Sequence, residues 1–236
     1  MKTADVKVVE IQNTGDGFTS IQIACPSSMV PVTGSYLGAN LPGAVDSVLG
    51  VPLFPVGFSS LSVVNGSTLL NTLPSQFINV RPGSNLRIHG PLGRGFDVPD
   101  QTRHLALVAF GDTAARLLPL ISPALILGAE IVLFAQNTPL GLPTAVEIHP
   151  LSALPDMIAW ADFAAFDFPL AFLPELRSVL GLMPHEQLTY PAQALITSPM
   201  PCTAMAVCGV CAVPAKRGFK LACKDGPVLD LPDLRW

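Results

Sequence analysis

Apolar positions repeat with two different periods along this chain. In the first hundred residues they alternate with polar ones over short runs. VKVVEIQ and FTSIQIAC read as strands joined across the turn-rich NTGDG, and FSSLSVV, SQFINV and NLRIHG add three more strand candidates. Glycine, proline, asparagine and serine separate these runs. Short strands at this spacing predict a small antiparallel β-barrel over residues 1–99. Between them, PVTGSYLGANLPGAVDSVLGVPLFP is rich in glycine and proline and reads as a long barrel loop.

From residue 102 to 197 the pattern changes to continuous apolar runs alternating with helical ones. RHLALVAFG and AEIVLFA read as buried strands, TAVEIHP as a third and AQALITS as another. DTAARLLPLI reads as a helix with Asp112 as its N-cap, and LSALPDMIAW and LAFLPELRSVLG as further helices, with ADFAAFD between them. That alternation predicts a parallel, Rossmann-like α/β sheet covered on both faces. Residues 198–236 form a third region, a small cysteine module. No internal repeat is evident.

Composition sharpens this reading. Half the 236 residues are apolar and only 13% are charged, about half the usual share. So charge-poor a surface suggests that a partner covers part of it. The net charge of −4 gives no reason to expect nucleic-acid binding. The most apolar run, LLPLISPALILGAEIVLFA, is broken by Pro119, Pro123, Gly128 and Glu130. It reads as helix, turn and buried strand rather than a membrane span. MKTADVKVVEIQ has no secretory apolar core, so the expectation is a soluble cytoplasmic protein.

The chemistry concentrates in the last 35 residues. Cys202, Cys208, Cys211 and Cys223 follow the spacing C-x5-C-x2-C-x11-C, and the rest of the chain holds only Cys25, read as a buried core residue of the strand IQIAC. Plant-type [2Fe–2S] ferredoxins use C-x4-C-x2-C…C, one residue shorter in the first gap. Two cysteines two residues apart can point inward from one turn, and Gly209 between them would let the backbone approach the sulfurs. Lys216, Arg217, Lys220 and Lys224 surround the fourth cysteine and could offset a cluster's negative charge. A structural zinc site draws on the same ligand type but usually as two CxxC pairs, and only one is present. Disulfides do not suit a cytosolic chain. His89, His104, His149 and His185 belong to no metal or nucleophile motif. Glu147 and Glu175 read as solvated carboxylates, and no catalytic residue is identified.

A barrel, an α/β region and a C-terminal cluster module occur in that order in one family. His89-Gly90-Pro91-Leu92-Gly93-Arg94-Gly95-Phe96 is similar to that family's GPLGxGF, and CKDGPVLDL is similar to its C-terminal C-x-DGPVF. On these stretches and the cysteine set, the chain resembles the electron-transfer subunit of dihydroorotate dehydrogenase, in the ferredoxin-NAD(P)+ reductase-like superfamily. The resemblance implies a [2Fe–2S] cluster on Cys202, Cys208, Cys211 and Cys223. It also implies FAD near Gly90, Pro91, Leu92 and Gly93, and NADH as donor. The implied partner is a catalytic flavoprotein subunit in a hetero-oligomer, within pyrimidine biosynthesis. Three departures stand against the full set. The family's Arg-Pro strand is replaced by Val51-Pro52-Leu53-Phe54-Pro55, with no arginine for the FAD phosphates, so Arg81 and Arg87 would have to compensate. Its glycine-rich phosphate turn becomes Ala109 to Pro119, with one glycine, and Asp112 at a helix start opposes a phosphate. Its CGP turn is missing, because ITSPMPC runs straight into Cys202. A non-enzymatic cluster-bearing scaffold or one-electron relay without FAD and NAD, and a zinc-stapled structural protein, are therefore the alternatives.

Overall fold

The structure, a computed structural model, describes residues 1–13, 19–40, 50–57, 67–72, 80–111, 113–139, 141–202 and 204–236. Its first half closes on itself. Strands β1 (Lys2–Asn13), β2 (Thr19–Ala24), β3 (Tyr36–Asn40), β4 (Val51–Pro55), β5 (Ser67–Thr72) and β6 (Asn85–Leu92) form a closed barrel in the order β1-β2-β5-β4-β3-β6. The alternation read from sequence does this work. Along β6, Leu86, Ile88, Gly90 and Leu92 are buried while Asn85, Arg87 and Pro91 face outward. Val6, Val8, Ile21, Ile23, Leu37, Leu53, Leu86 and Ile88 fill the interior. Cys25 joins them, and burial pushes its thiol up to about 11.

Two expectations change here. The stretch read as a long loop, residues 31–55, carries β3 and β4. Leu37 pairs with Leu53, and Gly38 faces Pro52. Burial of Leu37, Ala39 and Leu53 outweighs the prolines, which sit in short strand pairings where a missing N–H costs little. β5 falls where no strand was expected. The predicted turn at 14–17, the strand FSSLSVV, nearly all of SQFINV, and Asp112 with its capping role lie outside the described residues.

The second half is a six-stranded sheet of order β14-β11-β10-β7-β8-β9. Strands β7 (His104–Ala109), β8 (Glu130–Ala135), β9 (Val146–His149), β10 (Phe163–Pro169) and β11 (Ala192–Thr197) run parallel. Their apolar runs are buried on both sides. Leu105, Leu107, Ile131 and Leu133 pack on one face against Leu117, Ile121 and Ala124. Val108, Phe134, Phe166 and Ile196 pack on the other against Leu154, Leu173 and Leu176. The helices are shorter than read. DTAARLLPLI turns through a 3-10 segment at Leu118–Leu120 and becomes α-helical only in α1 (Ile121–Ile126). The other two helical runs break into 3-10 pieces around α2 (Leu154–Met157) and α3 (Leu176–Val179). Pro119, Pro155 and Pro174 each remove an N–H and bar a longer helix. Among the described residues no helix is long and apolar enough to cross a membrane.

After β11 the chain forms the hairpin β12 (Ala212–Pro214) and β13 (Phe219–Leu221). It then returns as β14 (Val228–Asp230), antiparallel to β11. Cys202, Cys211, Cys223, Val213, Val228 and Leu231 share one core with Tyr36, Phe54 and Leu92 of the barrel. Barrel, sheet and cysteine loop therefore meet in one apolar junction.

Candidate metal centre

Cys202 opens a loop just past β11. Met205 N–H returns to the Cys202 carbonyl at 3.1 Å. Ala204 and Ala206 take left-handed backbone angles (φ 72° and 58°), as does Gly209 (φ 67°). This curls the loop so that Cys208 Sγ lies 3.6 Å from Cys202 Sγ. A Cβ at Gly209 would meet nothing within 4 Å, so the glycine serves the backbone angle and not, as expected, the clearance of the sulfurs. The β12–β13 hairpin then brings back the fourth cysteine. Ala222 N–H bonds the Cys211 carbonyl at 3.0 Å, and Cys223 N–H donates to Cys211 Sγ at 3.4 Å. Cys202 and Cys208 thus meet through their sulfurs, and Cys211 and Cys223 through a backbone N–H. All four are free thiols, and 3.6 Å is far beyond the roughly 2.05 Å of a disulfide.

The environment treats these thiols differently. Burial raises the Cys202 pKa, but the bond from Cys208 and the N–H groups of Ala206, Val207 and Cys208 outweigh it, leaving the thiol below its usual range. Burial together with Cys211 and Cys202 pushes Cys223 up to about 12. Backbone N–H groups aimed at sulfur are the hydrogen bonds that stabilise thiolate ligands. Two such pairs, gathered by the loop and the hairpin, supply the thiol donor type of an iron–sulfur cluster. Among the described residues, no three histidine, cysteine or carboxylate side chains surround a single ion position. One further contact was not legible in the sequence. Tyr36, fully buried on β3, donates its hydroxyl to the Cys223 carbonyl at 2.7 Å. Of the basic residues around the loop, Lys216, Arg217 and Lys224 are exposed, and Lys220 bonds Asp233 at 2.7 Å.

The stretch Gly90 to Gly93 ends β6 against this module. The space a Cβ would take at Gly93 (φ 70°) lies directly on the Gly226 carbonyl and Pro227, so only glycine allows the contact. Arg94 N–H bonds the Gly226 carbonyl, Val228 N–H bonds the Arg94 carbonyl at 3.3 Å, and the Arg94 guanidinium grips Asp230 at 2.7 Å. Gln193 also bonds Asp230, at 2.8 Å. The turn expected to meet FAD is thus joined to the chain's own GPV segment. Among the described residues the phosphate contact is not replaced either. Arg87 forms a bidentate pair with Asp5, at 2.8 and 3.0 Å. Arg81 lies in the turn at the opposite end of β6, roughly 25 Å of strand away. Lys2, beside Gly90, donates to the Ser28 carbonyl. Among the described residues, these basic side chains do not supply the FAD phosphate contact of the family pattern.

The sheet has its topological switch point between β7 and β10, where such folds receive nucleotides beyond the strand ends. Here that place is filled. Arg116, from the segment after β7, forms a bidentate pair with Asp167 of β10 at 2.8 and 2.9 Å, with only 9% and 1% of the side chains exposed. Burial raises the Asp167 pKa, and Arg116 pulls against it. Beside the pair, Phe110 stacks on Phe172 at 4.5 Å and on Phe166 at 6.3 Å. The remaining sequence candidates are placed elsewhere. His149 bonds Glu147 at 2.6 Å, His104 packs on Trp160, His185 and Glu175 are exposed, and His89 is half-buried on β6. Trp236 lies under the Arg177 guanidinium.

No model of a known protein family matches the chain. Among solved structures, it is similar to an NADH-dependent reduced ferredoxin-NADP oxidoreductase described for flavin-based electron bifurcation. The TM-score is 0.75 at 16% identity, over 100% of this chain and 91% of that one. It is also similar to phthalate dioxygenase reductase, described as a modular structure for electron transfer from pyridine nucleotides to [2Fe–2S] (TM-score 0.56, 12% identity, 92% and 87% covered). A third is the flavohemoglobin of Malassezia yamatoensis with bound FAD and heme (0.57, 13%, 83% and 60%). At these identities the likeness establishes architecture: the chain has the ferredoxin reductase-like fold.

Proposed function

We propose that the chain is the electron-transfer subunit of a larger oxidoreductase, carrying a [2Fe–2S] cluster on Cys202, Cys208, Cys211 and Cys223. The gathering of four free thiols carries this reading: Cys208 Sγ lies 3.6 Å from Cys202 Sγ, the Cys223 N–H donates to Cys211 Sγ, and backbone N–H groups hold the Cys202 thiol below its usual range. Its setting, on a fold shared with reductases, supports it. A bound cluster would supply one-electron storage. The protein's part is to hold charge on the sulfurs through those N–H groups and to fix the Cys223 loop through Tyr36. On the resemblance, the partner is a catalytic flavoprotein such as that of dihydroorotate dehydrogenase; the resemblance also implies FAD at Gly90 to Gly93, a turn that here packs on Gly226 and Pro227 instead.

A second reading rests on the filled switch point and the committed arginines. In it the chain is a one-electron relay that has given up NAD and FAD, and a partner supplies its electrons. A UV–visible spectrum of anaerobically purified protein, before and after dithionite, separates the two once iron, zinc and released flavin are quantified. Iron with flavin supports the first reading. Iron without flavin supports the relay. Zinc, or no metal after attempted cluster reconstitution, overturns both.

A further inference from the structure

The segment that follows β14 lies along the β12–β13 hairpin. Lys216 N–H bonds the Asp233 carbonyl at 2.9 Å, Arg235 N–H bonds the Pro214 carbonyl at 3.2 Å, and Ala215 pairs with Leu234. Trp236 is held from two sides. Its indole N–H donates to the Leu231 carbonyl at 2.9 Å, and the Arg177 guanidinium of α3 lies 4.7 Å from the ring centre. Arg177 also donates to the Met183 and Glu186 carbonyls, both at 2.8 Å. The indole is therefore a fixed wall.

A cavity of about 480 Å³ opens beside it, between the 3-10 turn Leu170–Glu175 and β12. Leu170, Leu173 and Pro174 line it from the turn, and Ala212 and Pro214 from the strand. Among the described residues, Arg235 is the one charged group in its wall. The nearest acids are engaged elsewhere: Asp233 holds Lys220 at 2.7 Å, and Glu186 accepts the Met183 N–H at 2.7 Å. Arg235 and Trp236 also line a smaller adjoining cavity of about 180 Å³, where Arg177 and Lys216 add positive charge against the one acid, Glu186. Small-molecule sites are clefts of roughly 300–1,000 Å³ with apolar walls and a few placed polar groups. A guanidinium in an otherwise apolar wall favours a carboxylate over a neutral or cationic group.

We propose that this cavity binds a small apolar acid, with a compact hydrophobic body against Leu170, Pro174 and Pro214 and its carboxylate on Arg235. The site goes beyond the electron-transfer reading and does not depend on it.

Calorimetric titration of the full chain with 1-naphthoate and with octanoate tests it, beside 1-naphthylmethanol and 1-naphthylmethylamine as neutral and cationic forms of the same ring. At least one acid is expected to saturate the protein with a Kd below about 1 mM. The alcohol should bind about tenfold more weakly than the ring acid, and the amine more weakly still. Whichever acid binds more tightly assigns the body as a ring or a chain. Arg235→Gln, at an exposed position, should weaken the acid about tenfold and bring it level with the alcohol. Leu170→Gln should weaken acid and alcohol alike by several-fold, with its melting temperature as the check on folding. Lys7→Gln on the barrel should leave every affinity unchanged. Failure of both acids to saturate, an amine that binds as tightly as the acid, or an acid affinity indifferent to Arg235→Gln would overturn the proposal. So would a dimer in sedimentation that Leu170→Gln dissolves, because a second copy would then fill the cavity. Iron content does not enter the outcome: a cluster-free chain that binds the acid keeps this site, and a cluster-loaded chain that does not bind it loses this site alone.

Discussion

Tyr36 and Cys223 lie 187 positions apart, yet one hydroxyl ties them together. Tyr36→Phe keeps the ring against Phe54 and deletes only that bond. It should cost about 1 kcal/mol in chemical denaturation, because the Cys223 carbonyl stays buried without its donor. Bound metal should also pass to a chelator faster than from the parent protein. Equal release rates would show that the Cys223 loop does not depend on the barrel. Asp167→Ala makes a larger demand. It strands Arg116 in the interior, and removing one partner of a buried pair costs roughly 3–5 kcal/mol. Arg116→Leu with Asp167→Leu should recover most of that loss, since an apolar pair of similar volume needs no charge partner. Urea unfolding of the three proteins checks both statements. Neither contact could be read from the sequence: a tyrosine hydroxyl and an Arg–Asp pair 51 residues apart leave no spacing signature. The cysteine loop was legible because its partners are close in sequence.

At the scale of elements, the clamp between the turn after β6 and β14 is acid-sensitive. Burial raises the Asp230 pKa, but the Arg94 guanidinium and the Gln193 amide outweigh it and hold the carboxyl below its usual range. The unfolded chain then binds more protons than the folded one. Stability from this group is present above the unfolded carboxylate pKa, about 4, and is lost as pH falls through the lower folded value. A plot of unfolding free energy against pH below that point should therefore be shallower in Asp230→Asn than in the parent. An unchanged slope would show that Asp230 does not titrate with folding. The strands on either side of the clamp, β6 and β11, were read correctly because their runs have clear periods. β3 and β4 were not, since Pro52 and Pro55 mimic a loop when pairing partners are unknown. The helical runs were misjudged in length, because leucine-rich stretches keep their apolar pattern even where Pro119 and Pro174 limit them to single turns.

For the whole molecule, the question is whether a nucleotide can still enter a fold built around a nucleotide crevice. Its place between the ends of β7 and β10 is held by Arg116 with Asp167 and by Phe110 stacked on Phe172. Entry would break the aromatic stack, about 1 kcal/mol beyond its buried area, and separate a buried ion pair, roughly 3–5 kcal/mol. Together these cost on the order of 4–6 kcal/mol. A micromolar site corresponds to about −8 kcal/mol and a millimolar one to about −4. The loss is thus enough to move ordinary cofactor affinity to millimolar or weaker. NADH and NADPH should therefore give no saturable change in their fluorescence up to about 1 mM, and no rise in the melting temperature of the protein. Saturation below about 0.1 mM would mean instead that the pair and the stack swing aside together, and that the crevice is a gate rather than a plug.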